Sequence, residues 1–438
     1  MTKNISRRHF LGTTAASVAG VALLPQLVGC SGSGSGKAGD TIRMGFIGAG
    51  QQTMNLLRGF IQFPEVEVVA GCDVYGIKRQ RFEQRVNDYY AKQQKNIKVD
   101  MYENYRDVLA RTDINTVVIA VPDHWHAFIA IEACKAGKNI YLEKPMTFTI
   151  KEGQELVKAV RQNDVILAVG SQQRSSPEFQ HAVKMVHEGR IGNIERIYAR
   201  VGAPPKPYDL PEMPVPGDLN WEMWLGPSEF IHYHSDLNPV ISLDPPENEK
   251  FWAGWRWYKE VGGGFTTDWG AHMFDIAQWA LKMDNSGPVE IIPAGYKDTQ
   301  YLTYKYANGT VMTEQPFNET GGNGIKFWGD KGWIEVARDF YEASDKSLYP
   351  AEEEEAGENV PYETKAPHYA DFLDAIRNHK NPVVPVEVGH RTCTVCTLGN
   401  IAYELMRPLK WDPEKEQFVN DPEAEKKLTK TYREGYSI

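Results

Sequence analysis

One continuous segment, from Thr116 to Pro145, constrains the fold of this chain more than any other. Its letters, TVVIAVPDHWHAFIAIEACKAGKNIYLEKP, predict an apolar strand, a helix from Ala127 that closes at Gly137, and a second strand. Continuously apolar strands are typical of parallel sheets covered by helices, and glycine commonly follows the end of a helix. Ligands of such sheets bind at the carboxyl ends of the strands. The segment therefore predicts an α/β fold, and it makes Lys144, just after the second strand, a candidate site residue.

The length of the chain predicts how many domains it has, and its net charge bears on whether it binds nucleic acid. The chain has 438 residues, which is more than a single hydrophobic core usually serves, so two domains are expected. Its formal net charge of -10 provides no broad basic surface, and nucleic acid is therefore not an expected partner.

The amino-terminal residues predict an export signal. A twin-arginine pair at residues 7 and 8 precedes an apolar stretch from Val18 to Val28, which is too short for a stable membrane-spanning helix. The stretch ends in the letters LVGC, which resemble the lipoprotein cleavage box. We expect residues 1–29 to be a twin-arginine lipoprotein signal, Cys30 to carry lipid and residues 30–40 to be a Gly/Ser tether. The expected location is the periplasm or cell envelope.

A strand, a glycine turn and a helix follow the tether. Ile42 to Ile47 is apolar and leads into Gly48-Ala49-Gly50, after which residues 54–63 have a helical pattern. Backbone N–H groups at such a helix start bind the pyrophosphate of a dinucleotide, although Thr53 stands where the fingerprint prefers a third glycine. The candidate cofactor-binding residues of this turn are Gly48, Gly50, Gln51 and Gln52.

The next strand, Val66 to Cys72, ends in a second candidate cofactor residue, Asp73. It lies about twenty residues beyond the glycines, where a carboxylate accepts hydrogen bonds from the adenosine ribose. A carboxylate there repels a 2′-phosphate and favours NAD, whereas Lys78 and Arg79 leave NADP as an alternative. Residues 41–165 are therefore expected to form an NAD(P)-binding Rossmann domain.

Residues 166–385 predict a second α/β domain that binds substrate and mediates oligomer contacts. Strand patterns alternate with turn signals beyond residue 289, and Asn308-Gly309 is the clearest hairpin signal. We expect an open, largely antiparallel or mixed sheet whose broad face supports a homo-oligomer, either a dimer or a tetramer.

Residues 386–438 are expected to form a C-terminal helix and a polar tail. Cys393 and Cys396 share one face of that helix, and buried core cysteines are a simpler interpretation than a redox or metal pair. No metal site is expected.

A triple-glycine loop at residues 262–264 precedes a candidate acid/base pair, Asp268 and His272. Residues four apart on a helix share a face, so the carboxylate could orient the imidazole. A histidine held in this way suits a general base that takes a hydroxyl proton while a hydride leaves the same carbon.

Aromatic and polar side chains around this loop are candidates for substrate contacts. Tryptophans cluster here and suit either core filling or stacking on sugar faces; they are Trp221, Trp224, Trp252, Trp255 and Trp257. The polar candidates for the substrate pocket are Arg174, Arg256 and Tyr258.

Jointly, these motifs resemble the Gfo/Idh/MocA oxidoreductase family, and the resemblance covers essentially everything after the tether. The motifs that carry it are Gly48-Ala49-Gly50, His126 at the Ala127 helix, Glu143-Lys144-Pro145, and Asp268 with His272. The resemblance implies a Rossmann domain followed by an α/β domain. The cofactor contacts expected along the opening segment are Pro122, His126, Glu143 and Lys144.

The resemblance also implies an activity. It implies hydride exchange between nicotinamide and a sugar, glycoside or cyclitol carbon, with Lys144 bonded to the reacting hydroxyl and His272 as acid/base. Asp268 would bind substrate or orient His272. The related α-N-acetylgalactosaminidases lack this lysine and this pair in the same form, which favours the dehydrogenases. Export predicts a cofactor that does not dissociate. A redox-neutral NAD-dependent glycoside-cleaving enzyme and a non-catalytic sugar-binding lipoprotein are the alternatives.

Overall fold

A computed structural model describes residues 41–244, 252–319, 321–350 and 366–438. The predicted export signal, the tether and Cys30 lie outside the described residues. None of the helices in the described ranges is both long and apolar enough to cross a membrane.

Six parallel strands form the first sheet, in the spatial order β3-β2-β1-β4-β5-β6. Their bounds are β1 Ile42–Ile47, β2 Val66–Cys72, β3 Asp100–Tyr102, β4 Thr116–Ile119, β5 Asn139–Leu142 and β6 Leu167–Val169. The intervening helices are α1 Gln51–Phe60, α2 Gly76–Lys92, α3 Tyr105–Leu109, α4 Asp123–Lys135 and α5 Ile150–Asn163. The strand order reverses between β1 and β4, where doubly wound sheets have their ligand crevice. The predicted Rossmann-type sheet is confirmed.

The strands of this sheet are apolar because both faces are covered. Side chains alternate between the two faces of a strand. In β4, Val117 and Ile119 pack into one hydrophobic cluster, whereas Val118 packs into another on the opposite face. All three are fully buried. The continuous apolar pattern is thus explained by helices on both sides of the sheet.

Helix α4 begins earlier than its sequence pattern predicts. The expected start was Ala127, whereas the helix starts at Asp123, directly after Pro122 in an extended conformation. Proline stops a preceding strand, and an acidic residue in the first turn is favoured by the helix dipole. His126 therefore lies within the first turn rather than in a loop.

Nine strands form the second sheet, in the order β13-β12-β11-β7-β10-β9-β8-β14-β15. Their bounds are β7 Ile194–Ala199, β8 Glu290–Ile292, β9 Thr303–Lys305, β10 Val311–Glu314, β11 Gly324–Gly329, β12 Gly332–Ala337, β13 Phe340–Ala343, β14 Leu409–Asp412 and β15 Gln417–Phe418. Strands β7 and β10 run parallel, and the other neighbouring pairs run antiparallel. The predicted open mixed sheet is confirmed.

Helices cover one face of the second sheet and connect the two domains. Their bounds are α6 Pro177–His187, α7 Trp221–Leu225, α8 Gly264–Asp268, α9 Gly270–Ala280, α10 Ala366–Asn378, α11 Val386–Leu405 and α12 Pro422–Glu425. Short 3-10 helices span Gln172–Ser175, Gly254–Trp257, Lys346–Leu348 and Lys426–Leu428. Helix α11 packs against α5 of the first domain and against α9 of the second. Its Cys393 and Cys396 are buried and unpaired, as expected of core cysteines, and burial raises the pKa of the Cys393 thiol to about 12.

The residues after α11 do more than form a polar tail. Strands β14 and β15 extend the second sheet, and the last residues return to the first domain. The ring of Tyr436 packs edge-on against Trp125 and Phe128, and the Tyr432 hydroxyl donates to Glu152 Oε1 at 2.9 Å. The last residues of the chain therefore pack against helix α4 and form a hydrogen bond with helix α5.

Candidate functional site

A cavity between the two domains brings most of the predicted site residues together. The first domain contributes the glycine turn and the carboxyl ends of β2, β4 and β5, and the second contributes α8, α9 and the turn between β12 and β13. The predicted residues that line it are Gly48, Gly50, Gln51, Gln52, Asp73, Pro122, His126, Glu143, Lys144, Arg256, Asp268 and His272.

The glycine turn has the geometry of a dinucleotide cradle. Gly48 has a φ of 87°, and a Cβ atom there would lie 2.4 Å from the Ala120 carbonyl oxygen, so only glycine fits. Gly50 caps α1, and a Cβ atom there would meet open space. The first turn of α1 therefore faces the cavity, where its N–H groups can bind a phosphate. Thr53 is fully buried, so the fingerprint's missing glycine does not prevent close packing of α1.

Asp73 joins the end of β2 to the glycine turn. Its Oδ2 accepts a hydrogen bond from Ala49 N at 2.7 Å, and its Oδ1 accepts one from Tyr75 N at 2.9 Å. The cations that could favour NADP have protein acceptors: Lys78 Nζ donates to Asn238 Oδ1 and Arg79 Nη1 donates to the Asp73 carbonyl. This arrangement fits NAD.

Glu143 holds the end of β5 against the glycine turn. Its Oε1 accepts hydrogen bonds from Gln52 Nε2 at 2.7 Å and from Gln172 Nε2 at 3.0 Å. Its Oε2 accepts one from the Lys144 backbone N–H at 3.1 Å. The carboxylate is buried and lines the cavity, so it positions Lys144 relative to the cofactor site.

His126 contacts the backbone that follows β4 and the backbone that follows β5. Its Nδ1 lies 2.6 Å from the Pro145 carbonyl oxygen and its Nε2 lies 2.9 Å from the Val121 carbonyl oxygen. Burial lowers its pKa to about 4, so the ring is neutral and donates through one nitrogen only. We infer that His126 positions the ends of β4 and β5.

An ion pair between the domains joins two of the predicted catalytic residues. Lys144 Nζ lies 2.8 Å from Asp268 Oδ1, and it also donates to the Asp268 carbonyl oxygen at 3.0 Å. Arg256 Nε lies 3.7 Å from the same carboxylate oxygen. Burial by itself would raise the pKa of Asp268, but Lys144 and Arg256 outweigh it, and the pKa is lowered. The carboxylate is therefore ionised and holds the Lys144 ammonium in the cavity.

His272 has a neighbour that its spacing in the sequence does not predict, Arg338. Helix α8 ends at Asp268 and α9 begins at Gly270, so Asp268 and His272 do not share one continuous helix. Arg338 Nη2 donates to His272 Nε2 at 3.2 Å. A guanidinium has no acceptor, so Nε2 is the unprotonated nitrogen in this contact. We infer that Arg338 takes part in orienting His272, while Asp268 holds Lys144.

Asp123 and Arg338 line the cavity but were missed from the sequence. Asp123 is buried, and its Oδ2 accepts a hydrogen bond from Gly263 N at 3.3 Å. Burial, together with the charge of Asp268, raises its pKa to about 7. It follows Pro122 at the end of β4, so the strand-end rule that selected Lys144 could have found it. Arg338 has no comparable signal, because it lies in a hairpin turn of the other sheet.

The tryptophan cluster contributes both to a hydrophobic cluster and to the wall of the cavity. Trp221 stacks on Trp224 with ring centroids 4.5 Å apart inside a hydrophobic cluster. The guanidinium of Arg256 lies over Trp255 at 4.3 Å and over Trp252 at 4.9 Å. The tryptophans that line the cavity are Trp125, Trp224, Trp252, Trp255, Trp257 and Trp269.

Two predicted substrate residues do not line the cavity. Arg174 is 2% exposed and binds Asp275 through two hydrogen bonds of 2.8 Å and Asp284 through bonds of 2.9 and 2.7 Å. Tyr258 is buried against Tyr208, with ring centroids 5.2 Å apart. Both predictions are wrong because these side chains are used in packing and charge pairing, whereas Arg256 lies where expected.

Replacing Arg174 by methionine should destabilise the fold by about 3–5 kcal/mol, because it leaves the buried Asp275 carboxylate without its cation. Denaturant unfolding followed by tryptophan fluorescence measures the free energy of unfolding. Arg58→Met removes an exposed guanidinium and should change it by less than about 0.5 kcal/mol. Equal effects of the two variants would contradict a structural role for Arg174.

Comparisons with known proteins agree with this geometry. Residues 42–171 match the family model for the NAD-binding Rossmann fold of the Gfo/Idh/MocA oxidoreductases, and residues 206–438 match the model for their C-terminal α/β domain.

Curated proteins similar to this chain are named as glycoside hydrolases rather than as oxidoreductases. A glycosyl hydrolase family 109 protein of Shewanella baltica is 29% identical, and an alpha-N-acetylgalactosaminidase of Shewanella oneidensis is 28% identical, each over 209 residues. Each alignment spans 44% of this chain and 44% of the relative.

Solved structures match over a longer part of the chain. The WlbA dehydrogenase from Bordetella pertussis, crystallised with NADH and UDP-GlcNAcA, has 18% identity and a TM-score of 0.60, covering 85% of this chain and 98% of its own. At this identity the match establishes the fold alone. The two family models together account for most of the chain and agree with the glycine cradle and the two-domain cavity, so the chain belongs to the Gfo/Idh/MocA oxidoreductase family and its first domain binds NAD.

Proposed function

We propose that this protein transfers a hydride between tightly bound NAD and the hydroxyl-bearing carbon of a sugar, glycoside or cyclitol. One observation carries the proposal: the Lys144 ammonium from the first domain pairs with Asp268 from the second, in a cavity that His272 and the glycine turn also line. A proton acceptor and a cation beside a cofactor cradle are what oxidation of a CH–OH group requires.

Lys144 binds the reacting hydroxyl in this proposal. Its ammonium donates a hydrogen bond to the hydroxyl oxygen and stabilises the negative charge that develops there as the proton leaves. Asp268 keeps the ammonium in place through the 2.8 Å ion pair. Glu143 fixes the backbone from which Lys144 projects.

His272 takes the proton of that hydroxyl. Its Nε2 is the unprotonated nitrogen, because it accepts from Arg338, and substrate must displace or share that contact. NAD supplies the acceptor for the hydride that leaves the same carbon. The products are a carbonyl group, a protonated His272 and a reduced cofactor, and reduction of a second carbonyl compound reverses each transfer.

We also propose that the protein is an exported lipoprotein whose cofactor does not leave. The twin-arginine pair and Cys30 support this proposal, because the envelope has no pool of free nicotinamide. Denaturing the purified full chain should release about one NAD per chain, and labelled NAD should exchange into the native protein only slowly. A nucleotide-free protein that equilibrates rapidly with added NAD would contradict tight retention.

We further propose that copies associate through the broad face of the nine-stranded sheet. On this face Lys326 lies over the rings of Trp328 and Trp333, at 4.0 and 4.2 Å, and pairs with Glu335. Half-buried aromatic rings of this kind are common in interface cores.

A redox-neutral glycoside-cleaving activity is the second candidate. The names of the Shewanella relatives favour it. In such a cycle the sugar is oxidised, the C–H beside the new carbonyl loses its proton, and the aglycone leaves from the next carbon with a proton, which forms a double bond. Water then adds to that double bond and the hydride returns to the carbonyl carbon, so no net reduction of NAD is seen.

Adding sugars and nitrophenyl glycosides to the purified protein distinguishes the candidates. A rise in the absorbance of reduced nicotinamide on adding a sugar supports the oxidoreductase. Release of nitrophenol without added acceptor and without lasting reduction supports glycoside cleavage. Binding of sugars with neither signal would leave only the sugar-binding lipoprotein.

A further inference from the structure

Asp123 is a buried carboxyl group in the cavity that the proposed hydride transfer does not use. It is the first residue of α4, its exposed fraction is 3%, and it lines the cavity together with Lys144 and His272. Oxidation of a CH–OH group releases one proton, and His272 takes that proton in the proposed function. Asp123 is therefore a titratable group of the same cavity that is available for a second proton transfer.

Asp123 and Asp268 differ in the partners of their carboxyl groups. Asp268 pairs with Lys144 at 2.8 Å and lies 3.7 Å from Arg256 Nε. Among the residues that the structure describes, Asp123 forms no ion pair, and the one hydrogen bond to its side chain runs from Gly263 N to Oδ2, at 3.3 Å. Its Oδ1 is thus left to contact a ligand in the cavity.

These surroundings allow Asp123 both to take and to give a proton near neutral pH. Burial, together with the charge of Asp268, raises its pKa to about 7, although Lys144 and Arg256 act in the opposite direction. An acid/base group is most effective when its pKa lies near the working pH. Asp268 does not meet this condition, because its lowered pKa keeps it ionised.

The hydrogen bond to the glycine loop does not by itself account for a carboxyl group at this position. An amide or hydroxyl oxygen accepts a bond from Gly263 N as well, without the cost of burying a group that ionises. The same loop has a second anchor, since Asn400 Nδ2 donates to the Gly263 carbonyl oxygen at 2.8 Å. Proton transfer explains the carboxyl group of Asp123 better than anchoring does.

A carbonyl group made by hydride transfer gives such a carboxyl group a reaction to serve. The C–H bond next to a carbonyl is acidic, so a carboxylate can take its proton. The electron pair of that bond forms a C=C bond while the C–O bond on the next carbon breaks, and the departing oxygen takes the proton from the carboxylic acid. The carboxylate is restored, and bound NAD remains the only redox partner. In a glycoside linked through C1, this sequence requires the carbonyl at C3 and the acidic C–H at C2.

We propose that Asp123 is a second catalytic acid/base, which moves the C2 proton of a 3-keto-glycoside to the departing glycosidic oxygen. This inference rests on the proposed function, since hydride transfer from C3 produces the keto group. Lys144 and His272 act on the C3 hydroxyl, whereas Asp123 acts on the next carbon. Addition of water across the C1–C2 double bond and return of the hydride to C3 complete the cycle.

Loss of the C2 hydrogen from a keto-sugar tests the inference. The probes are methyl 3-keto-α-D-glucopyranoside and its β anomer, incubated in D₂O with the purified full chain in its oxidised NAD form. Mass spectrometry and NMR measure exchange at C2, and release of methanol is measured in the same samples. We expect the C2 hydrogen of at least one anomer to be lost at least about 100-fold faster than without protein.

Asp123→Asn keeps an acceptor for Gly263 N but cannot take a proton, so it should lower this rate about 10²–10⁴-fold. Asp123→Ser removes the carboxyl group in a second way and should have the same effect. Asp88→Asn, which removes an exposed carboxylate on α2, should retain the wild-type rate. NAD quantified after denaturation shows whether each variant keeps its cofactor.

Three results overturn the inference. The first is a wild-type protein that does not accelerate loss of the C2 hydrogen from either anomer. The second is an Asp123 variant that keeps its NAD and more than a tenth of the wild-type rate. The third is loss of NAD from both Asp123 variants, which would make the residue a cofactor contact instead.

The keto-sugar separates this inference from the proposed function. It enters the cycle after the hydride transfer, so loss of the C2 hydrogen is measured whether or not a sugar reduces the bound nicotinamide. If sugars reduce the nicotinamide and the C2 hydrogen stays in place, the inference fails while the proposed function stands. If the C2 hydrogen is lost through Asp123 and no sugar reduces the nicotinamide, the proposed function alone fails.

Discussion

Replacing Lys144 by methionine should lower turnover about 10³-fold while the nucleotide content of the purified protein stays unchanged. Methionine keeps the length and apolar stem of the side chain but removes the ammonium that donates to the reacting hydroxyl. It also leaves Asp268 without its 2.8 Å partner, so negative charge remains where the alkoxide must form. Stopped-flow measurement of nicotinamide reduction, with nucleotide quantified after denaturation, checks both parts.

The matched control is Lys135→Met, because Lys135 is an exposed residue in the last turn of α4. It should turn over at the wild-type rate. A Lys144→Met protein that keeps more than a tenth of the wild-type rate would refute the proposed role of Lys144. A variant that has lost its nucleotide would instead place the residue among the cofactor-binding groups.

Replacing His272 by alanine should lower turnover about 10²–10⁴-fold, again with nucleotide retained. The wild-type rate should fall as the pH is lowered, because protonation of His272 removes the base that takes the hydroxyl proton. In His272→Ala that acidic limb should flatten, since the titrating group is gone. Initial rates measured across a pH series with a saturating sugar test the assignment.

His187→Ala is the control for this experiment. His187 lies at the exposed end of α6, where its Nε2 contacts the Trp279 carbonyl oxygen. Its removal should change neither the rate nor the pH profile. If His272→Ala retained the acidic limb of the wild-type profile, another group would be the base, and Asp123, with its pKa of about 7, would be the residue to test next.

Much of the fold could be predicted because its signals are local. Strands β1 and β2 have the bounds that their patterns predict, since runs of apolar residues and turn residues act over a few positions. The site at the carboxyl end of β5 was also predictable. In parallel sheets strand ends gather at one edge, which places Lys144 beside the glycine turn.

The structure changes the expectations for charged residues whose ion-pair partners lie far away in the chain. Arg174 looked like a pocket residue, but it pairs with Asp275 and Asp284 about a hundred residues later. Asp268 and His272 were placed on one helix from a spacing of four, yet α8 ends at Asp268, whose carboxylate pairs with Lys144. Neither ion pair can be predicted from the residues near it in the sequence.

The sequence by itself determined which elements form, the cofactor class and the residue types that do the chemistry, because glycine turns, apolar runs and strand-end residues depend on near neighbours. Only the tertiary structure decided which charges are neutralised and which face the cavity. Arg338 lies in a hairpin turn that no sequence motif marks, and only the fold brings it to the cavity, where it donates to His272 Nε2. The reason is physical: burial and charge pairing are set by packing between the two domains, which no local pattern records.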